Sequence, residues 1–367
     1  MYQIISETYA GKHQTELPTP ALLLDLDILD FNLKTMMDSV KGTNTAVRPH
    51  MKAHKCPAIA HRQIDAGAIG ITCAKLGEAE VMVNTGIKSI LLANQVIGEG
   101  KIRVLAGLNR YAEVMPAIDS KENAKNISDI AKEIGVNIPV CIEVDNGLNR
   151  SGVRTVEEGV ELAEFITGLP NMTFKGIQAY EGAFRGKTWD EKQTIVDKNI
   201  GHAAAVKNAI QAAGIPVEIL SCASTGTWKL TAEFESVTEI QPGSYALMET
   251  AYYGGGVDFP FKQALSVICT VCSAYTNRLV LDAGKKTVTI DQGIPTLIED
   301  PDATLTFHEE HCLIDTTDKL RGYKVGDKMS LSPSHCCTTA NQHDFYYCVR
   351  GGVVEAIWPI LARSRYE

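Results

Sequence analysis

The stretch RPHMKAHKCP, residues 48–57, follows directly after the short apolar run TAV, residues 45–47. In a barrel of alternating strands and helices, reactive side chains lie at the carboxyl ends of the strands, in the mouth of the barrel. Lys52 lies a few residues past such a run, so its amine is a candidate Schiff-base nucleophile. The alternative is an exposed surface lysine, the usual location of this residue type. The elements on either side of this stretch indicate the fold that carries it.

Eight β-rich runs alternate with helical segments between residues 45 and 245. The runs span residues 45–50, 68–74, 89–96, 112–119, 139–145, 174–180, 217–223 and 237–243, and the helical segments include 120–135, 155–169 and 190–214. Strands that alternate with helices pair in parallel through crossover connections. Eight such units over this length predict an α/β fold of the (β/α)8 TIM-barrel type.

The pattern of residue types along the sequence changes after Tyr245. Runs rich in β-branched residues at 278–282, 286–291 and 344–350 are separated by turns that contain glycine. Such runs predict strands, and therefore a mostly β C-terminal domain. A further strand is predicted at residues 21–26, before the eight runs of the barrel.

The composition indicates a globular protein that acts on a small molecule. The chain has 367 residues, of which 45% are apolar, and a formal net charge of -9. That charge argues against a general nucleic-acid surface or an anionic-membrane surface. No stretch approaches the ~18 consecutive apolar residues of a membrane helix, and no signal-peptide pattern opens the chain, so we expect a cytoplasmic protein. The ten cysteines fit reduced thiols better than a disulfide framework.

Two loops after the last two predicted barrel strands have the composition of a phosphate site. The first is SCASTGT, residues 221–227, and the second is QPGSY, residues 241–245. Small residues and hydroxyls let backbone N–H groups approach a phosphate, and phosphate sites after strands seven and eight recur in barrels. A pair of plain turns is the alternative. The candidate phosphate-binding residues are Ser224, Thr225, Gly226, Gly243, Ser244 and Tyr245.

A candidate metal site lies in PSHCCTTAN, residues 333–341. In an extended segment, side chains two residues apart share a face, so His335 and Cys337 are able to bind one ion while Cys336 points away. Zinc sites usually have three or four protein ligands, so a buried structural pair is the alternative.

These motifs resemble those of the D-threonine aldolase and D-serine dehydratase family, which are fold-type III pyridoxal-phosphate enzymes with an alanine-racemase-like barrel. The resemblance covers nearly the whole chain, including residues 48–57, 281–284 and the terminal WPILAR at 358–363. It implies that Lys52 binds pyridoxal 5'-phosphate as a Schiff base and that the two loops cradle its phosphate. It also implies a barrel domain at 27–248, and a β-rich domain that joins 249–367 to 1–26 and carries the metal site.

Two further segments carry the resemblance into the cofactor pocket. The loop DNGLNRSG, residues 145–152, is similar to the family's loop with an arginine near the cofactor, here Arg150. An arginine there tunes the electronics of the cofactor ring without readily donating a proton. The segment QAYEG, residues 178–182, is similar to the one whose tyrosine, here Tyr180, lines the pocket. A surface arginine and a core tyrosine are the alternatives.

The resemblance also implies a divalent metal ion. At His335 to Cys337 the family has His-x-Asp in typical D-threonine aldolases and His-x-Cys in D-serine dehydratases. A thiolate ligand favours zinc, whereas manganese or magnesium suits a carboxylate. Residues 308–311, HEEH, resemble the family's Asn-Asp-Glu-His segment near the metal, which gives Glu309 a water-linked role. The predicted catalytic residues are Lys52, His335 and Glu309.

The reaction implied is the cleavage of D-3-hydroxy amino acids to glycine and an aldehyde. Similarity along the whole chain favours this aldolase, whereas Cys337 favours a dehydratase that gives a 2-oxo acid and ammonia. A racemase needs a second base that we cannot place, and a non-catalytic pyridoxal-phosphate carrier has no use for a metal site. Relatives complete each active site with the partner's second domain, so the resemblance also implies a homodimer.

Overall fold

The computed structural model describes residues 2–182, 187–253 and 258–367. The chain divides into two compact units. The first unit comprises residues 36–52, 59–243 and 364–367, and the second comprises 1–35, 53–58 and 244–363. Both units are therefore assembled from segments that are not continuous in sequence.

The first unit is built on eight parallel strands. Helix α1 (Tyr2–Tyr9), strand β1 (Ala21–Asp25) and helix α2 (Leu26–Ser39) come earlier in the chain. The eight strands are β2 (Ala46–Val47), β3 (Ile71–Cys73), β4 (Ser89–Leu92), β5 (Glu113–Ile118), β6 (Ile138–Glu143), β7 (Met172–Gln178), β8 (Ile219–Cys222) and β9 (Glu239–Ile240). They pair in chain order from β3 to β9, and β9 pairs in turn with β2.

Backbone hydrogen bonds after β2 close this sheet into a barrel. The N–H of Ile69 donates to the carbonyl of Val47 at 3.0 Å, and the N–H of Thr72 donates to that of Pro49 at 2.8 Å. A parallel bridge between His50 and Thr72 completes the contact of β2 with β3. The predicted barrel is therefore confirmed.

Helices connect successive strands of the barrel. They are α3 (Pro57–Asp65), α4 (Leu76–Asn84), α5 (Glu99–Leu108), α6 (Lys121–Ile134), α7 (Val156–Thr167), α8 (Trp189–Ala212) and α9 (Trp228–Ala232). Helix α6 shows why the boundaries fall where they do: Ser120 accepts a hydrogen bond from the N–H of Asn123, and Gly135 ends the helix with a φ of 75°. The helices predicted at 120–135, 155–169 and 190–214 are confirmed to within two residues.

The barrel strands are shorter than the predicted runs at their carboxyl ends. The run predicted at 45–50, for example, contains only the two residues of β2. Backbone pairing continues past β2 at single positions, because the His50 N–H donates to the carbonyl of Pro242 at 3.0 Å, while Pro49 has no N–H to donate. The last residues of each run form the mouth of the barrel instead.

The second unit contains a mostly antiparallel sheet. Its later strands are β10 (Leu265–Tyr275), β11 (Arg278–Leu281), β12 (Thr296–Leu297), β13 (Leu305–Phe307), β14 (Cys312–Asp315), β15 (Lys328–Ser332), β16 (Phe345–Arg350) and β17 (Val353–Pro359), and helix α10 (Cys336–Ala340) follows β15. Strand β1 lies between β10 and β16, so the strand predicted at 21–26 belongs to this sheet. Leu23, Ile268, Val349 and Ile357 are buried in its core.

The strand predicted at 286–291 is wrong. The N–H groups of Thr287 and Val288 both donate to the carbonyl of Gly284, which makes this segment a turn. The Thr287 hydroxyl also bonds to the backbone of Gly284. Local side-chain-to-backbone bonds of this kind compete with strand formation, so they override the β-branched composition. Among the helices of the described residues, none has the length and apolar character needed to cross a membrane.

Candidate active site

The mouth of the barrel brings Lys52, Tyr180 and Arg150 together. Lys52 lies in a 3-10 turn after β2, Arg150 in the loop after β6, and Tyr180 two residues past the end of β7. The Lys52 Nζ and the Arg150 Cζ each lie 5.8 Å from the centre of the Tyr180 ring. Both cations are exposed, whereas the Tyr180 ring is half-buried. A ligand that carries a carbonyl group can therefore reach the Lys52 amine beside an aromatic wall.

A buried carboxyl group lies next to this cluster. Glu143, the last residue of β6, is 3% exposed, and its Oε1 lies 3.8 Å from the Arg150 Nη2. Burial raises the pKa of Glu143 to about 8, although Arg150 opposes the shift. The Arg150 side chain is 56% exposed, so water screens its attraction for the carboxylate.

Several buried polar atoms in the barrel mouth have no hydrogen-bond partner in the described structure. They are Oε2 of Glu143, Oε1 of Gln178 and both polar side-chain atoms of Asn146. Buried polar groups are nearly always hydrogen-bonded in folded proteins. These atoms therefore fit a site that takes a ligand with polar substituents.

The first predicted phosphate loop is tightly folded after β8. Ala223 has a φ of 69°, in the left-handed region. The N–H of Ser224 donates to the Thr227 hydroxyl at 3.1 Å, and the N–H of Gly226 donates to the Ser224 hydroxyl at 3.1 Å. Ser224 is half-buried, whereas Thr225 and Gly226 are buried.

The second predicted phosphate loop begins beside the first. In the barrel unit, Gln241 donates from its N–H to the carbonyl of Cys222 and from its side chain to the Ser221 hydroxyl at 2.8 Å. The loop continues through Gly243 into a 3-10 turn that contains Ser244 and Tyr245, all of them buried. The Tyr245 ring is 2% exposed and packs edge-on against Phe261, so this side chain is part of a core.

In the second unit, His335 lies in a network of polar groups. Its Nδ1 is 2.7 Å from Oδ2 of Asp291, and its ring contacts the side chain of Cys337. Burial alone would lower the pKa of His335, but the neighbouring Cys337, Glu249 and Asp291 raise it to about 9. A metal ion at this ring would have to displace a proton.

The segment after His335 is helical, so the predicted extended conformation is wrong. His335 is the N-cap of α10, and the Cys336 N–H donates to a carboxylate oxygen of the fully buried Glu249 at 2.5 Å. That bond satisfies one of the N–H groups that the first turn of a helix leaves unpaired. His335 and Cys337 are nevertheless in contact, and Cys336 is buried.

Glu309 lies on an exposed turn of the second unit. Its carboxylate pairs with Lys286 at 3.2 Å, and 79% of its side chain is exposed. The backbone of this turn packs closely against Gly284, where a Cβ atom would lie 2.3 Å from the carbonyl oxygen of Glu309. The need for glycine at position 284 thus comes from the backbone of Glu309, and the role predicted for the Glu309 side chain stays a prediction.

Comparisons with known proteins bear on what these clusters do. A family model described as the alanine racemase N-terminal domain matches residues 24–251, and one for a serine dehydratase domain matches residues 264–349. The chain is 36% identical to a D-threonine aldolase of Arthrobacter sp, covering 96% of this chain and 95% of that protein. It is 34% identical to a 3-hydroxy-D-aspartate aldolase of Paracoccus denitrificans (strain Pd 1222), covering 97% and 94%. The chain belongs to the D-threonine aldolase and D-serine dehydratase family.

Members of this family with another reaction are also similar to the chain. A D-threo-3-hydroxyaspartate dehydratase of Delftia sp. (strain HT23) is 27% identical over 94% of this chain and 97% of that protein.

The crystal structure of a D-threonine aldolase from Filomicrobium marinum is 35% identical, with a TM-score of 0.92 over 95% of this chain and 96% of that one. The predicted family, fold and enzyme class, a pyridoxal-phosphate-dependent lyase, are confirmed.

The barrel mouth fits the cofactor of this family. An exposed amine beside an aromatic ring suits a carbonyl group, and the orphaned polar atoms of Glu143, Gln178 and Asn146 suit polar ring substituents. The candidate metal site offers fewer protein ligands than a usual zinc site, because the described residues contain no group of three or more metal-binding side chains. His335 and Cys337 form a contacting nitrogen and sulfur pair, a donor set that suits zinc and leaves further positions open for substrate.

Three polar residues near the candidate sites were not predicted from the sequence: Glu143, Glu181 and Asp291. Asp291 contacts His335 across 44 residues of sequence and Glu181 contacts Ala223 across 42, whereas Glu143 is close in sequence to its partner Arg150. Glu143 carries the one local signal, since it is a carboxylate within an otherwise apolar run that ends in the mouth.

Proposed function

We propose that the protein is a pyridoxal-phosphate- and divalent-metal-dependent lyase that cleaves D-3-hydroxy amino acids to glycine and an aldehyde. The observation that carries the proposal is the Lys52 amine, exposed in the barrel mouth 5.8 Å from the Tyr180 ring. Similarity to two aldolases over almost the whole chain supports retro-aldol cleavage as the reaction.

Lys52 would hold the cofactor through its amine, with Tyr180 and Arg150 nearby. The orphaned atoms around Glu143 support a polar ring in this place. The backbone N–H groups and hydroxyls of the two loops would receive the phosphate. The residues assigned to the phosphate are Ser224, Thr225, Gly226, Gly243, Ser244 and Tyr245.

His335 and Cys337 would hold the metal ion. Sulfur ligation favours zinc, and manganese and magnesium are the alternatives that the assay below includes. Glu309 retains its proposed water-linked role near the metal, and its ion pair with Lys286 is the contact that such a role would have to break.

The reaction breaks the Cα–Cβ bond of the substrate. When bound, the cofactor withdraws electrons from the α-carbon and the metal ion acts as a Lewis acid on the substrate oxygens. The β-hydroxyl loses its proton, the aldehyde leaves, and the α-carbon takes up a proton to give glycine. We assign proton transfer at the α-carbon to the amine of Lys52.

A dehydratase is the second candidate, favoured by Cys337 at the metal site. In that reaction Lys52 removes the proton of the α-carbon and hydroxide leaves the β-carbon. The resulting enamine tautomerises to an imine, and water hydrolyses the imine to a 2-oxo acid and ammonia. Both reactions use the same residues, so their products distinguish them.

The test is a product assay on the purified enzyme with pyridoxal phosphate and zinc, manganese or magnesium. D-Threonine, D-serine and D-3-hydroxyaspartate are each scored for glycine and for 2-oxo acid. Glycine with an aldehyde supports the aldolase, and 2-oxo acid with ammonia supports the dehydratase. Lys52→Ala should abolish either product, whereas Lys101→Ala, on the exposed face of α5, should not.

A non-catalytic carrier is tested in the same assay. His335→Ala should abolish turnover in a metal-dependent lyase. A carrier has no turnover, so its binding of pyridoxal phosphate should be unchanged by His335→Ala. Absence of either product from the wild-type enzyme with every substrate would contradict the proposal.

A homodimer and a cytoplasmic location complete the proposal. Family resemblance supports the dimer, and light scattering of the purified protein tests it. All ten cysteines are free thiols, which supports a reducing compartment.

A further inference from the structure

Glu181 is a buried carboxyl residue next to the candidate phosphate loop. It follows Tyr180 directly, beyond the end of β7, and only 3% of it is exposed. Acidic side chains are almost never buried to this extent unless they are paired or fully hydrogen-bonded. The contacts of Glu181 therefore indicate what it does.

Both carboxyl oxygens of Glu181 bind the segment from Ala223 to Thr231. Oε2 accepts a hydrogen bond from the N–H of Ala223 at 2.8 Å. Oε1 accepts from the Thr231 hydroxyl at 2.6 Å and from the Thr227 hydroxyl at 3.3 Å. One side chain thus ties the start of the loop to its end and to helix α9.

These bonds act where the loop is strained and where it turns. Ala223 has a φ of 69°, in the left-handed region that is unfavourable for a residue with a side chain. The bond from its N–H to Glu181 offsets part of that cost. Thr227, which donates to Glu181, accepts in turn from the N–H of Ser224 at 3.1 Å. The position of Ser224 therefore depends on Glu181 through Thr227.

Burial favours the uncharged form of Glu181. It raises the pKa of this carboxyl group, although the hydrogen bonds from Thr231 and Ala223 oppose the shift. A shift in this direction reduces the repulsion between Glu181 and a nearby anion. Glutamine has the same shape: its amide oxygen can accept from the Ala223 N–H, and its NH2 group can donate to the two threonine hydroxyls, which then act as acceptors.

We propose that Glu181 is the positioning residue of the phosphate site, and that it holds residues 223–227 in the conformation that receives the cofactor phosphate. The inference rests on the assignment of this loop under the proposed function. It adds a residue that need not touch the cofactor and acts through Ala223 and Thr227.

The test compares pyridoxal phosphate with pyridoxal, which lacks the phosphate. Both ligands are titrated into the cofactor-free full-length protein. The dissociation constant of pyridoxal divided by that of pyridoxal phosphate reports the phosphate site alone. Glu181→Leu removes the hydrogen bonds at similar volume and should weaken pyridoxal phosphate binding by about 10–100-fold with pyridoxal unchanged. Glu181→Gln should keep the wild-type ratio to within about threefold.

A matched control separates this role from general stability. Glu78 is also buried in the barrel unit and accepts from the backbone N–H of Ala74 at 2.7 Å and of Lys75. Glu78→Leu should lower stability without changing the ratio. If Glu181→Leu fails to fold, Thr231→Val removes one bond to Glu181 and should lower the ratio severalfold.

Two results would contradict different claims, one about the phosphate site and one about Glu181. A wild-type ratio near one would show that the loop is not a phosphate site, and the assignment under the proposed function would fail with the inference. A large wild-type ratio that Glu181→Leu, or Thr231→Val in its place, leaves unchanged would overturn the inference alone.

Discussion

The imidazole of His335 is held by Asp291, whose Oδ2 lies 2.7 Å from the His335 Nδ1. The other carboxylate oxygen of Asp291 accepts a hydrogen bond from the Thr338 hydroxyl at 3.0 Å. Thr338 in turn is hydrogen-bonded to the Thr289 hydroxyl at 2.7 Å. A carboxylate on Nδ1 fixes the ring orientation and directs Nε2 toward a ligand, as is usual for histidines that bind metal ions.

Asp291→Ala should therefore weaken metal binding by about 10–100-fold, because outer partners of metal-binding histidines have effects of that size. The dissociation constant for zinc is measured by competition with a chelating dye. Asp302→Ala, which removes an exposed carboxylate elsewhere in the same unit, is the control and should change nothing.

Zinc binding by His335→Ala shows what an unchanged dissociation constant for Asp291→Ala means. If His335→Ala abolishes zinc binding and Asp291→Ala does not change it, Asp291 has no role at the metal. If neither variant changes zinc binding, His335 is not a metal ligand.

The sulfur of Cys337 should determine which metal ion the enzyme prefers. Cys337→Asp replaces a soft ligand by a carboxylate, so the preferred ion should shift from zinc toward manganese or magnesium. Activity is measured with each ion added to metal-depleted enzyme, with Cys272→Ser, an exposed thiol on β10, as the control. We expect the ratio of glycine to 2-oxo acid to stay the same, and a change from one product to the other would show that this ligand selects the reaction.

The sequence predicted the barrel and the location of Lys52 because both depend on local patterns. β-rich runs are recognisable one by one, and strand ends in a barrel meet at one edge whatever their order. The strand predicted at 286–291 failed because the Thr287 hydroxyl bonds to the backbone of Gly284, and composition does not reveal such a bond. The bond from the Thr231 hydroxyl to Glu181 joins residues 50 apart, and no periodicity encodes that pairing.

Glu143 should make stability depend on pH. Its pKa in the folded protein is about 8, above the ordinary value of 4.5, so between these values the folded state holds a proton that the unfolded state has lost. The stability it contributes is fully present below pH 4.5 and is lost as the pH rises through 8. The free energy of unfolding of the cofactor-free protein should fall in this window by at most roughly 1.4 kcal/mol per pH unit from this group.

Glu143→Gln should remove that part of the slope. Urea unfolding at a series of pH values measures it, with Glu122→Gln on the exposed face of α6 as the control. Equal slopes for the wild type and Glu143→Gln would show that Glu143 is ionised throughout this range.

The buried ion pair of Arg48 and Glu239 should stabilise the barrel only as a pair. The Arg48 Nε and Nη2 bind the two carboxylate oxygens of Glu239 at 2.9 and 3.0 Å, and Nη1 binds the Ser89 hydroxyl at 2.8 Å. Both residues are less than 5% exposed. Arg48→Met leaves an uncompensated buried carboxylate and should cost about 3–5 kcal/mol of unfolding free energy.

The double variant Arg48→Met with Glu239→Leu tests whether the charges or the packing matter. Replacing both charges by apolar groups of similar volume removes the desolvation cost as well as the attraction, so the double variant should be more stable than either single one. Urea unfolding of all four proteins gives the coupling energy. Additive losses would mean that Arg48 and Glu239 contribute separately, through their packing and the bond to Ser89, and that the charge pair itself is not what stabilises this part of the barrel.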